Sequence, residues 1–158
     1  MTGAEAPSFT KILVPLDGSP VSKKAAKYAI HLAHVENAKL VLMHVVEDVR
    51  QGGAIGLQAK YGNVRLVEGF RKARTKAAEK WMDERKSQAD KAGVKSTSEI
   101  VSDDGTSEVG MITSYAKKND VDLIVMGKRG QSKFKQLLVG SVTNAVLNHA
   151  PCPVLVVH

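Results

Sequence analysis

Residues Val125–Val146 read VMGKRGQSKFKQLLVGSVTNAV. The apolar run DLIVMG (Asp122–Gly127) ends on a glycine. Gly130 follows after two residues, and Gly140-Ser141 after nine more. A continuous run of β-branched residues and leucine is expected of a strand covered on both faces. Beyond Gly140, Val142, Ala145 and Val146 repeat at helical spacing, and Pro151 ends that helix. A strand feeding a glycine-bearing loop and then a helix is the unit of a parallel α/β sheet.

The rest of the chain repeats the pattern. KILVPL (Lys11–Leu16), KLVLMHVV (Lys39–Val46) and PVLVV (Pro153–Val157) read as further strands, and TSEIV (Thr97–Val101) as a weaker, alternating edge strand. Ser19 and Pro20 form a helix start. Ala25, Ala26, Ala29, Ile30 and Ala33 then give a small-residue face suited to close packing on a sheet. A second helix is expected over Leu66–Lys91 with Leu66, Phe70, Ala73, Ala77 and Trp81 inward and Gly93 beyond its end. A third starts near Thr106 with Val109, Ile112 and Ala116. The fold class is therefore α/β: one open five-stranded parallel sheet with helices on both faces. Glu47–Arg65 holds four glycines and no clear period, and reads as a long connection that is either a lid or a solvated insertion. Residues 1–8 read as a tail and 9–158 as one domain.

Composition narrows the function. The 158 residues are 43% hydrophobic, enough for a sizeable core, and carry a net charge of +7. That excess suits an anionic ligand. Aromatics are only 4%, and neither an aromatic RNA-binding run nor zinc-finger spacing occurs, so nucleic acid is not the expected partner. The single cysteine, Cys152, excludes an internal disulfide and fits a reducing, cytoplasmic setting as a buried thiol. No apolar run reaches the roughly 18 residues of a membrane span, and no signal-like segment opens the chain, so no membrane role is expected.

Ligands of open parallel sheets sit beyond the carboxyl ends of the strands, where strand order reverses. Three such ends are rich in polar residues and glycine: PLDGS (Pro15–Ser19), HVVED (His44–Asp48) and the stretch after Met126. There Gly127 removes a side chain at the strand exit, and Gly130 can turn backbone N–H groups inward. The N–H groups after Gly140-Ser141 lack helical partners and carry the positive end of the helix dipole, an arrangement suited to phosphate. Lys128, Arg129, Lys133 and Lys135 add positive field. The spacing is neither a P-loop nor a G-x-G-x-x-G fingerprint. Asp17 is either an acceptor for ribose hydroxyls or the first residue of an Asx-turn. HLAH (His31–His34) and His149 read as packing or surface residues, His44 as a packed strand histidine or a neighbour of the ligand, and SDDG (Ser102–Gly105) as a turn and cap or a contact to metal or ribose. Lys72, Lys76 and Lys80 read as a solvated face.

VPLDGS (Val14–Ser19), LMHVV (Leu42–Val46), VMGKRGQSK (Val125–Lys133) and LLVGSVTNAVLNHAPCPVLVV (Leu137–Val157) occur in order. Together they resemble the universal stress proteins, whose signature is G-2x-G-9x-G-(S/T). The resemblance implies a sheet in order 3-2-1-4-5 that binds ATP. Pro15 and Leu16 would lie against the adenosine, and Asp17 would meet the ribose or a phosphate-bound Mg²⁺ or Mn²⁺. Val45 would pair with the adenine edge through its backbone, and Met126 and Gly127 would flank the ribose. Lys128, Arg129, Gly130, Gln131, Ser132 and Lys133 would form the phosphate loop, closed by Gly140, Ser141, Val142 and Thr143. It further implies a homodimer through Pro153–Val157. The expected role is a nucleotide-binding stress sensor or regulatory module, the alternative a slow ATPase or phosphoryl-transfer enzyme in the same pocket.

Overall fold

The structure is a computed structural model and describes residues 7–46, 53–102, 106–128 and 139–158. Five strands form one parallel sheet: β1 (Lys11–Pro15), β2 (Lys39–Val46), β3 (Ser96–Ser102), β4 (Leu123–Gly127) and β5 (Val154–Val157). Their order is β3-β2-β1-β4-β5, so the chain steps outward from β1 first to one side and then to the other. Every pairing is parallel, with Pro15 opposite Met43 and Leu13 opposite Ile124.

Among the described residues, five helices accompany the sheet: α1 (Pro20–Glu36), α2 (Gly53–Lys60), α3 (Val64–Lys91), α4 (Glu108–Lys118) and α5 (Ser141–His149). Strand alternation divides the core in two. Ile12, Val14, Leu40, Leu42, Leu123 and Val125 face α1 and α3, meeting Ala25, Ala29, Ala33, Met82 and Ala89. Leu13, Val41, Met43, Ile124 and Met126 face the other way and meet Ile112, Ala116 and Val146 of α4 and α5. The alanine face of α1 is fully inward, as its pattern indicates, and the Ser19 hydroxyl caps it by accepting from the Ser22 N–H at 3.1 Å.

Two sequence expectations change, and a third, the helix start near Thr106, is met within two residues. The buried face of α3 is Val67, Ala78, Met82, Arg85 and Ala89, not Leu66, Phe70, Ala73, Ala77 and Trp81. Both sets recur at helical spacing, and contact with β2 and β3 selects the first; only Trp81 of the second set is partly buried. The Glu47–Arg65 connection is not all loop, because α2 occupies Gly53–Lys60 and α3 begins at Val64. Residues 47–52 are outside the described set. The third sequence helix begins at Glu108, capped by the Ser107 hydroxyl, which accepts the Gly110 N–H at 3.2 Å.

Candidate functional site

The strand order reverses between β1 and β4, so the crevice beyond their carboxyl ends is the expected ligand position. The β1 exit is held firmly. The Leu16 N–H donates to the Met43 carbonyl at 2.7 Å, extending the ladder one residue. The Leu16 carbonyl lies 2.7 Å from His44 Nδ1, which makes that ring nitrogen the donor. The His44 ring also stands edge-on to Trp81 of α3, centroids 4.9 Å apart. His44 thus ties the β1 exit to α3, a packing role in keeping with its sequence reading.

The next turn leads into α1. Asp17 Oδ1 accepts the Ser19 N–H at 2.9 Å, and Gly18 sits at φ 79, a left-handed conformation that favours glycine. Asp17 therefore does form the Asx-turn. A carboxylate can accept further hydrogen bonds, so the turn leaves a ligand role open.

The β4 exit and the start of α5 are fastened to each other. The Lys128 N–H donates to the Val157 carbonyl at 2.7 Å, and the Gly140 N–H to the Lys128 carbonyl at 2.8 Å. The hydroxyl of Thr143, a residue only 3% exposed, donates to the Gly127 carbonyl at 2.9 Å. Gly140 is the N-cap and has no side chain to satisfy the first turn. The first-turn N–H groups of α5, which have no acceptor within the helix, are thus fixed beside the exit of β4.

Side-chain directions revise several expectations. Thr143 acts through the Gly127 carbonyl, so its hydroxyl positions the helix rather than reaching outward. Leu16 packs into the α1–α3 core, whereas Val45 and Met126 pack into the α4–α5 core. Leu16 can offer only backbone on the α5 side. Val45 lies beyond the last β1–β2 pair but still within the β2–β3 ladder, opposite Val101, which leaves it at the strand exit. Gly127 is required by helix α1: a Cβ there would stand 2.8 Å from Val21 Cγ1 and 3.1 Å from the Val21 carbonyl carbon. Ser141 is exposed and Val142 half-buried at the first turn of α5. Arg129, Gly130, Gln131, Ser132, Lys133 and Lys135 lie outside the described residues, as do Asp103, Asp104 and Gly105.

Sequence reading missed a separate cavity of about 250 Å³ beside α4, lined by Met43, Val101, Gly110, Met111, Tyr115 and Lys118 among others. No local motif marks it, because it arises from the gap between α4 and the edge of the sheet. It falls below the roughly 300–1,000 Å³ usual for small-molecule sites. Burial, and secondarily the charge of Glu99, raise the Tyr115 pKa, so its hydroxyl stays protonated at neutral pH. Among the described residues no group of three or more His, Cys, Asp or Glu side chains could hold a metal. A divalent cation would rely mainly on phosphate oxygens and water.

Cys152 is half-buried against the α4–α5 core. Burial raises its pKa, the charge of Asp122 raises it further, and a hydrogen bond with the Ile124 backbone partly opposes them. Its thiolate therefore forms at a higher pH than that of a free thiol. Iodoacetamide labelling at pH 8, followed by mass spectrometry, is expected to be slower than for a small-molecule thiol, with the rate still rising above pH 9.

Known proteins share this architecture. The model of the universal stress protein family matches residues 8–158. Universal stress protein MJ0531 of Methanocaldococcus jannaschii is 36% identical over 149 residues, 94% of this chain and 82% of its own. YxiE of Bacillus subtilis is 33% identical over 151 residues, 94% of this chain and 99% of its own. Among solved structures, UspA of Lactobacillus plantarum superposes with a TM-score of 0.84 at 27% identity, covering 97% of this chain and 100% of its own. A universal stress protein solved with cAMP has a TM-score of 0.64 at 22% identity, covering 96% and 98%. One from Archaeoglobus fulgidus solved with dAMP has a TM-score of 0.67 at 17% identity, covering 95% and 98%.

Proposed function

We propose, from the premise that the chain belongs to the universal stress protein family, that it is an ATP-binding stress-response module of the cytoplasm that senses or regulates rather than turns over substrate. One observation carries the reading. The N-terminus of α5, which no side chain caps among the described residues, is pinned to the exit of β4 by the Gly140–Lys128 and Thr143–Gly127 hydrogen bonds. Free N–H groups there can receive phosphate at the β1–β4 crevice. In this reading Asp17 accepts from the ribose, and the Val45 backbone reads adenine. Met126 and Gly127 border the sugar. Lys128 through Lys133 wrap the phosphates, and Mg²⁺ or Mn²⁺ rides on them. The adenine nucleotides carried by the cAMP and dAMP structures support the ligand class.

Mass spectrometry of small molecules released from denatured protein, with calorimetric titration of ATP, AMP and adenosine, tests the proposal. The Ser141→Asp variant separates phosphate binding from folding. An acid in the first helical turn suits the dipole and should leave stability unchanged or slightly raised, while repelling phosphate. We expect ATP affinity to fall at least tenfold and adenosine affinity to change little. Equal losses for both ligands would place the phosphates elsewhere.

The same reading includes a homodimer. β5 pairs with β4 alone among the described strands, and Leu155 is exposed on it. A valine-rich edge of this kind favours pairing with a second copy across a two-fold axis. Sedimentation showing only monomer at micromolar concentration would rule it out.

A further inference from the structure

Helix α3 carries two apolar stripes, and the sheet covers only one. Val67, Ala78, Met82 and Ala89 turn inward. Leu66, Phe70, Ala73 and Ala77 form the second stripe and are all exposed, with Leu66 at 49% and Phe70 at 42%. Spacings of four, three and four residues keep them on one helical face. The apolar surface continues at the α2–α3 junction, where Leu57 is exposed and Tyr61 is 76% exposed. Between Val64 and Ala77 only Val67 is buried, so this half of α3 stands largely free of the sheet.

Charge is concentrated on the same segment. From Lys60 to Lys80 there are seven basic residues (Lys60, Arg65, Arg71, Lys72, Arg74, Lys76, Lys80) against Glu68 and Glu79, a net +5 of the chain's +7. All seven are exposed, and none enters an ion pair among the described residues. Part of their placement works against the helix. Lys72, Lys76 and Lys80 stand four apart, where like charges destabilise. Arg65 lies in a first turn that has no acidic residue and no side-chain cap, against the dipole. Lys76 and Lys80 border the exposed stripe on one side and Arg74 on the other, from their positions at 100° per residue.

An occupant must therefore be anionic and must accept Leu66, Phe70 and Tyr61. A second copy would bring the same net +5 and repel. A partner helix docks best in a groove, whereas this is one exposed face of a helix. Basic side chains around an exposed Leu/Phe/Tyr surface are the pattern of a helix lying in a lipid interface. We propose that the α2–α3 hairpin is a peripheral docking face for an anionic bilayer surface. The association is with the surface only: no helix among the described residues is long and apolar enough to cross a membrane. It goes beyond the sequence expectation of no membrane role, which rested on the absence of a spanning run.

Co-sedimentation of the full chain with phosphatidylcholine vesicles, with and without about 30% phosphatidylglycerol, tests the proposal. The partition coefficient should be at least tenfold larger for the anionic vesicles and fall steeply as salt is raised. An Arg74→Gln/Lys76→Gln/Lys80→Gln variant and a Leu66→Ser/Phe70→Ser variant should each lose at least tenfold. Because these side chains are exposed, the urea midpoints of both variants should stay near that of the parent protein. Equal partition into both vesicle types would overturn the proposal. So would unchanged binding of the Leu66/Phe70 variant, which would mean electrostatic adsorption alone. Self-association that this variant abolishes, in protein that does not bind vesicles, would assign the face to a second copy instead.

Discussion

Gly127→Val is expected to destabilise the protein by about 2–4 kcal/mol, the upper range for overpacking a tight interior site. The new side chain meets the first turn of α1: a Cβ would lie 2.8 Å from Val21 Cγ1, 3.1 Å from the Val21 carbonyl carbon and 3.2 Å from the Ser22 nitrogen. Two of those atoms are backbone, and Ser22 is buried with its N–H bonded to the Ser19 hydroxyl, so the turn has little room to yield. Urea denaturation measures the loss as a lower midpoint at unchanged slope. Gly110 supplies the contrast. A Cβ there meets Thr106 Cγ2 at 2.7 Å, but that atom ends an exposed side chain and is not backbone. Gly110→Ala in α4 should be near neutral, because the gain in helix propensity offsets the adjustment. If both variants unfold at the parent midpoint, the fit of α1 against β4 is looser than described.

Thr143→Val is expected to cost about 1–3 kcal/mol, the range for stranding a buried polar group. The valine preserves shape but removes the donor to the Gly127 carbonyl, leaving that oxygen without its 2.9 Å partner. The same bond orients α5, so nucleotide affinity should fall as well. Thr143→Ser keeps the hydroxyl and should restore affinity while losing only the packing of one methyl group. Were Thr143→Ser to bind as weakly as Thr143→Val, the hydroxyl would not be what positions the helix.

Much of the fold was written in local pattern. β1, β2 and β4 could be read because strands buried on both faces leave little room for polar residues, and β5 from its valine run alone. Helix α1 was legible from Ser19, Pro20 and the alanine repeat, since the cap and the close-packing face are both short-range features. The edge position of β3 followed from its weaker alternation, and the structure places it at the end of the sheet. At the site, the sequence reading put Gly127 at the end of β4 and Gly140-Ser141 at the start of α5, where the structure has them, while Gly130 lies outside the described residues.

What pattern could not supply was the choice between equivalent surfaces. In α3 two stripes share the same period, and only docking against β2 and β3 determined that Met82 and Ala89 go inward while Leu66 and Phe70 stay out. The meaning of Gly127 and Thr143 was likewise non-local. The glycine answers the approach of α1, more than a hundred residues earlier in the chain, and the threonine spends its hydroxyl on the strand behind it. The sequence alone determined the strands, the caps and the order of the segments that follow the strand ends, because these depend on neighbours a few residues away. Tertiary structure decided which helix face is covered and whether a polar group faces ligand or protein, because those depend on which distant backbone occupies the space.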